Sequence, residues 1–253
     1  MDVRRLNMDA SWQFSSGAAS ILVDPWLKGV EIDGFAWFNK QWHATLPVEP
    51  KTIKGIDALV VTQPYADHFH AETIHALPNV PLYTYDRLVS TIQRKFPDRV
   101  IKSLANINDK NWTRLGDMEL AFIDVTVKKP PYYYGLAIKE GEKVFLLFPH
   151  GFKNIKPYLE IIRQYQVELL ITSFSLFQLP FFLGGKVNPG PENAYRLVHD
   201  LKPKHVYQTH DEQKHGTGIV LKIAKRYYPT ADEIKTNIGD VFTDLDHYQF
   251  QIF

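Results

Sequence analysis

Cysteine is absent from the 253 residues. No disulfide, thiolate nucleophile, zinc ribbon or iron–sulfur cluster can therefore be built. A basic excess is also missing: 29 Lys and Arg stand against 28 Asp and Glu, a formal net charge of +1. Proteins that hold polyanions usually carry such an excess, so a nucleic-acid partner is not expected. Long apolar runs are missing too, with none near the roughly 20 residues that span a bilayer. The opening stretch MDVRRLNMDASWQF has two Arg but no apolar region behind them, which predicts no secretory leader. The expectation is a cytoplasmic protein with no membrane partner.

What is present is ordinary globular material, 45% hydrophobic and 23% charged, enough to exclude whole-chain disorder. Histidine numbers 10, so a transition metal would have to rest on imidazole and carboxylate. Short apolar runs ending in polar loops recur along the chain. Ala19 to Val23 stops at Asp24-Pro25, where proline bars continuation of a central strand. Asp57 to Thr62 and Val80 to Thr84 read as strands, Ala71 to Leu77 and Asp86 to Phe96 as helices. Asp117 to Val127 and Tyr134 to Phe148 predict hairpin strands with a turn at Glu140-Gly141-Glu142.

The second half repeats the rhythm. Pro157 to Gln166 reads as helix, Glu168 to Ser173 as strand, and Pro191 opens a helix with Ala194, Leu197, Val198 and Leu201 on one face. Lys204 to Thr209 reads as strand and Thr217 to Tyr228 as helix. No linker-like stretch separates the halves. These patterns predict one α/β domain over residues 1–253, a four-layer αββα sandwich with two sheets inside.

Four loops at predicted strand C-termini hold the chemistry: Asp24 in LVDPW, Asp67-His68 in TQPYADHFH, His150 in FPHG, and His210-Asp211 in QTHDE. Strand ends are where α/β folds assemble sites from distant segments. One carboxylate with three imidazoles is a sulfur-free set that suits Zn²⁺ or Fe²⁺.

In order and flanking strands this pattern resembles the metallo-β-lactamase-fold superfamily. The phrases DPW, DHFHAET, GPENAYRL and THDEQKH are similar to its lactonase-like branch of metal-dependent hydrolases. The resemblance spans nearly the whole chain and implies an αββα sandwich. It also implies two metal sites, and here the chain departs. Gln63 and Tyr65 stand where two histidines of the first site belong, and Asp124 to Pro131 holds no third. His150 stands where a bridging Asp is usual. The resemblance therefore implies a reduced site of one zinc or iron ion, or none. Asp67, His68 and His210 remain as ligands, with His150 as a candidate fourth.

Each residue has a plainer reading. Asp67 suits the N-cap of the helix beginning near Phe69 or His70. His68 and His210 would serve equally as buried, hydrogen-bonded histidines, and His150 as a turn residue. Asp24 reads as a carboxylate that orients a neighbour. His70, His75, His199, His205, His215 and His247 read as surface or core. Two aromatic stretches, Phe35 to His43 and Phe174 to Gly185, suit either packing, including a homo-oligomer interface, or an apolar pocket over the site. Tyr132, Tyr133 and Tyr134 are placed at the same mouth.

Two functions follow. The first is a metal-dependent hydrolase of a small, apolar ester, lactone or amide. Its ion lowers the pKa of a water, and Tyr65 or Gln63 donates hydrogen bonds to the developing oxyanion. Asp67 is the general base if it does not bind metal. The second is an inert fold member that serves as a binding or scaffolding module. The two separate on whether His150 and His210 face one cavity.

Overall fold

Strand periodicity sorts side chains onto the two faces of an internal sheet. In Met118–Asp124, Leu120 and Phe122 join one buried cluster while Ala121 and Ile123 join another. That alternation is the period-two signature of a strand covered on both faces. Each large apolar side chain so buried contributes roughly 1.5–3 kcal/mol. The computed structural model describes residues 1–109, 111–125 and 133–253.

Two large sheets face each other. The first runs in the order β19 (Phe250–Ile252), β1 (Asp2–Arg5), β2 (Trp12–Ser15), β3 (Ser20–Val23), β6 (Ala58–Val60), β7 (Leu82–Thr84), β8 (Ile101–Ser103). Its first half is antiparallel; β3, β6, β7 and β8 are parallel. The second runs β16 (His205–Gln208), β13 (Gln166–Thr172), β12 (Lys143–Phe148), β11 (Tyr134–Glu140), β10 (Met118–Asp124), β9 (Thr113–Leu115). It too is antiparallel from β9 to β12 and parallel from β12 to β16.

Helices α1 (Ala71–Ala76) and α2 (Asp86–Lys95) pack Ile74, Leu88 and Ile92 into the first cluster. On the far side, α4 (Pro191–Leu201) and α6 (Ala231–Ile238) pack Ala194, Leu197, Leu201 and Ile234 into the second. The result is the layered α/β sandwich that the sequence predicts. Among the described residues no helix is long and apolar enough to cross a membrane.

Two expected helices are shorter than predicted. Pro157 to Gln166 reduces to a 3-10 turn and α3 (Leu159–Ile162), because Gln166 already pairs with Lys143 at the start of β13. Thr217 to Tyr228 breaks into β17 (His215–Thr217), α5 (Ile219–Ile223) and β18 (Lys225–Tyr227). Strand pairing overrides helical pattern there. β18 adds to β14 (Leu176–Gln178), which pairs with β15 (Lys186–Pro189), and β17 adds to β5 (Lys40–Trp42) beside β4 (Glu31–Ile32). These two three-stranded sheets stand above the strand ends, where the site lies. Helix α6 is unanticipated, although Thr230 and Glu233 form a reciprocal capping box at its start.

Candidate metal centre

Three histidines reach one point from three strand ends, and each is aimed by a partner on its Nδ1. Beyond β3, Asp24 takes a left-handed φ of +48°. Its carboxylate accepts from the Thr62 amide at 2.7 Å, the Thr62 hydroxyl at 2.6 Å and His68 Nδ1 at 2.8 Å. Beyond β12, the turn Pro149-His150-Gly151 closes with Gly151 at φ +67°, where a Cβ would collide with Asn193 Oδ1. His150 Nδ1 donates to Asn188 Oδ1 at 2.6 Å, and the Asn188 amide donates in turn to Ser175 Oγ at 2.9 Å. Beyond β16, His210 takes φ +51°, and its Nδ1 donates to Asp9 Oδ1 at 2.7 Å. Its own amide donates to the Asp9 carbonyl at 3.0 Å, which ties the β1–β2 loop to the site. Left-handed backbone at non-glycine residues costs energy and gathers at functional sites.

With every Nδ1 carrying the proton, every Nε2 presents a lone pair inward. His68 Nε2 and His150 Nε2 lie 3.0 Å apart, and the buried His210 Nε2 has no hydrogen-bond partner. The three ligand atoms fall within 4.8 Å of one another. Two zinc ligands at about 2.0–2.1 Å in a tetrahedron stand about 3.3 Å apart, close to the His68–His150 spacing. Three Nε2 atoms that converge in this way can share one electrophile, and a divalent ion fits this set. A proton is the competing occupant. Burial alone would lower the His68 pKa, but Asp67 and Asp24 outweigh it and push it up to about 9. His150 is held well below the ordinary value by burial and by the charges of His210 and His68.

A carboxylate group adjoins the imidazoles. Asp67 Oδ2 lies 3.8 Å from His68 Nε2, and Asp9, Asp67 and His210 form a second cluster of potential ligands. The Lys214 ammonium sits among them, 3.1 Å from Asp9 Oδ2 and 3.2 Å from Glu31 Oε1. Burial pushes the Asp9 carboxyl up, but Lys214 and His210 prevail and hold it well below the usual range. For Glu31 burial prevails: its carboxyl is raised well above the usual range, with Asp67 and Asp9 adding to the shift against Lys214.

The floor opens into a cavity of about 430 Å³ whose walls include Phe38, Tyr65, Tyr133, Phe177, Leu183 and Val220. Asp67, His150 and His210 line it. Tyr65 lines it as well and packs against Tyr133 at 5.8 Å between ring centroids. Gln63 is fully buried, is not among the lining residues, and neither atom of its amide is hydrogen-bonded. Asp67 does not cap α1. His70 is that N-cap, its ring accepting from the Thr73 amide at 3.3 Å. Asp211, next to His210, turns away and pairs with the buried Arg5. Tyr132 and residues 126–131 of the window searched for a third histidine lie outside the described residues.

Sequence reasoning missed Asp9, Glu31, Asn188 and Lys214. Lys214 had a signal, four residues beyond His210 in the same loop. Asp9 and Glu31 had none, since only the folded chain brings them there.

No curated protein sequence matches this chain. Solved structures match it over its full length, each at an identity that speaks for the fold alone. An isothiocyanate hydrolase from Delia radicum gut bacteria is 17% identical, with TM-score 0.71 over 100% of this chain and 99% of that one. A metallo hydrolase from Ignicoccus hospitalis is 12% identical, with TM-score 0.69 over 100% of both chains. CmlA, a diiron beta-hydroxylase from Streptomyces venezuelae, is 16% identical, with TM-score 0.70 over 99% of this chain and 53% of that one. The family model described as a beta-lactamase superfamily domain matches residues 19–210. That match covers well over half of the chain and every strand end that carries a histidine of the site, and the chain belongs to the beta-lactamase superfamily, with the metallo-β-lactamase fold.

Proposed function

We propose that the protein is a hydrolase of small, apolar, carbonyl-type substrates that works with one divalent ion, zinc or iron. The observation that carries this reading is the convergence of three Nε2 lone pairs, each fixed by a partner on Nδ1. His68, His150 and His210 would hold the ion, with Asp67 beside them. When bound, such an ion supplies Lewis acidity, polarising a carbonyl and making water more acidic.

The chain's own residues supply the rest. Phe38, Phe177, Leu183 and Val220 exclude water and bind the apolar part of the substrate. The Tyr65 hydroxyl, raised in pKa by burial, accepts a hydrogen bond from Tyr133 and keeps its own proton. Its O–H then donates to the oxyanion that develops on the substrate. Asp67, kept ionised by His68 and Lys214 against the effect of burial, takes a proton from the attacking water at Oδ2. Ester, lactone and amide substrates all suit this arrangement. So does an isothiocyanate, whose electrophilic carbon is likewise attacked by water. His150 and His210 facing apart would have favoured the inert-module reading; their rings stack at 4.6 Å, which supports the shared metal site.

The test is a panel of apolar esters, lactones, amides and isothiocyanates, assayed with zinc- or iron-loaded protein. Turnover is expected for at least one class, with a loss of about 10²-fold or more in Tyr65→Phe at unchanged metal content. No turnover across the panel by fully loaded protein, or equal turnover by a His68→Ala/His210→Ala variant, contradicts the reading.

A further inference from the structure

Lys214 is a lysine without a surface role. Its side chain is 12% exposed, and its ammonium lies 3.1 Å from Asp9, 3.2 Å from Glu31 and 4.0 Å from Asp67. Trp26 adds a ring face, with the ammonium 5.0 Å from its centroid, and Lys214 also lines the cavity. The three carboxylates come from the β1–β2 loop, from β4 and from the loop beyond β6, so they are brought together only by the fold. Gathering buried carboxylates is unfavourable unless a cation sits among them.

These carboxylates are tied to the histidine centre. The oxygen of Asp9 that Lys214 leaves free accepts from His210 Nδ1. The oxygen of Asp67 nearest Lys214 is also the one 3.8 Å from His68 Nε2. The ammonium still leaves acceptors over: Glu31 Oε2 is buried without a partner, and so is the His210 Nε2 lone pair.

We propose that the Lys214 ammonium takes the place of a second metal ion and so restricts the centre to one. The inference deepens the proposed function and rests on it for the first ion. Lys214 is thus a positioning residue: it holds Asp9 and Asp67, and through them His210 and the proton acceptor.

The experiment counts zinc in wild type, Lys214→Gln and Lys214→Arg after saturation and desalting, and records melting with and without zinc. Lys214→Gln is expected to hold about one zinc per chain more than wild type and to recover its lost thermal stability when zinc is added. Lys214→Arg keeps the charge and should match wild type. Equal counts in wild type and Lys214→Gln overturn the proposal. So does a Lys214→Gln chain that stays unfolded at saturating zinc, since a divalent ion should serve where the ammonium did. The comparison reads a difference between chains. A wild type that binds no zinc therefore defeats the proposed function, whereas equal counts defeat the role of Lys214.

Discussion

The floor and the rim of the cavity are built on different principles. On the floor each histidine of the site is positioned by another side chain: Asp24 aims His68, Asn188 aims His150, and Asp9 aims His210 while binding Lys214. Its strands, β3, β6, β12 and β16, belong to the parallel halves of the two large sheets. The rim is carried by the two small sheets and keeps large apolar side chains in water, including Trp37, 64% exposed, and Phe182, 82% exposed. The floor has one arrangement, fixed by hydrogen bonds of 2.6–2.8 Å. The rim has mainly contact area. On the proposed function, chemistry belongs to the floor and substrate choice to the rim.

That division can be broken by experiment. The largest effect is expected from His68→Ala/His210→Ala, which should abolish metal binding and lower hydrolysis by about 10³-fold or more. Metal content and initial rates measured on the same preparation check it. Next comes Asp24→Asn. The carboxylate accepts three hydrogen bonds, and an amide would set its NH₂ against a donor. Metal affinity should fall by about 10–100-fold, read by competition with a chelator. On the rim, Phe177→Ala or Leu183→Ala should raise KM for an apolar substrate by about 10-fold with metal content unchanged. If either variant loses the ion, floor and rim are not separable. The smallest effect belongs to Phe182→Ala, whose melting should stay within about 0.5 kcal/mol of wild type.

The same contrast decides how much could be read from the sequence. Asp24, His68, His150 and His210 each lie in a loop that follows a short apolar run, so the strand rhythm that predicts the sandwich also marks these loops. The resemblance then assigned them an order. Asp9 is invisible to that procedure because its partner His210 lies 201 residues away. Glu31 sits in a two-residue strand with no pattern to find, and Asn188 becomes a partner of His150 only when β14 and β15 pair. The rim hid for a related reason. Lys225–Tyr227 continues a helical pattern locally, yet pairs as a strand with Leu176–Gln178. Local pattern locates elements that bury a face; it cannot foresee a strand recruited by a distant edge.

The central claim is that three imidazoles with inward lone pairs hold a metal ion. It is tested most directly by metal analysis of the untagged protein, paired with melting before and after chelation. The account predicts about one zinc or iron per chain and a lower melting temperature once the ion is removed. Protein that carries no metal, takes up none on addition, and melts identically with and without chelator would contradict it.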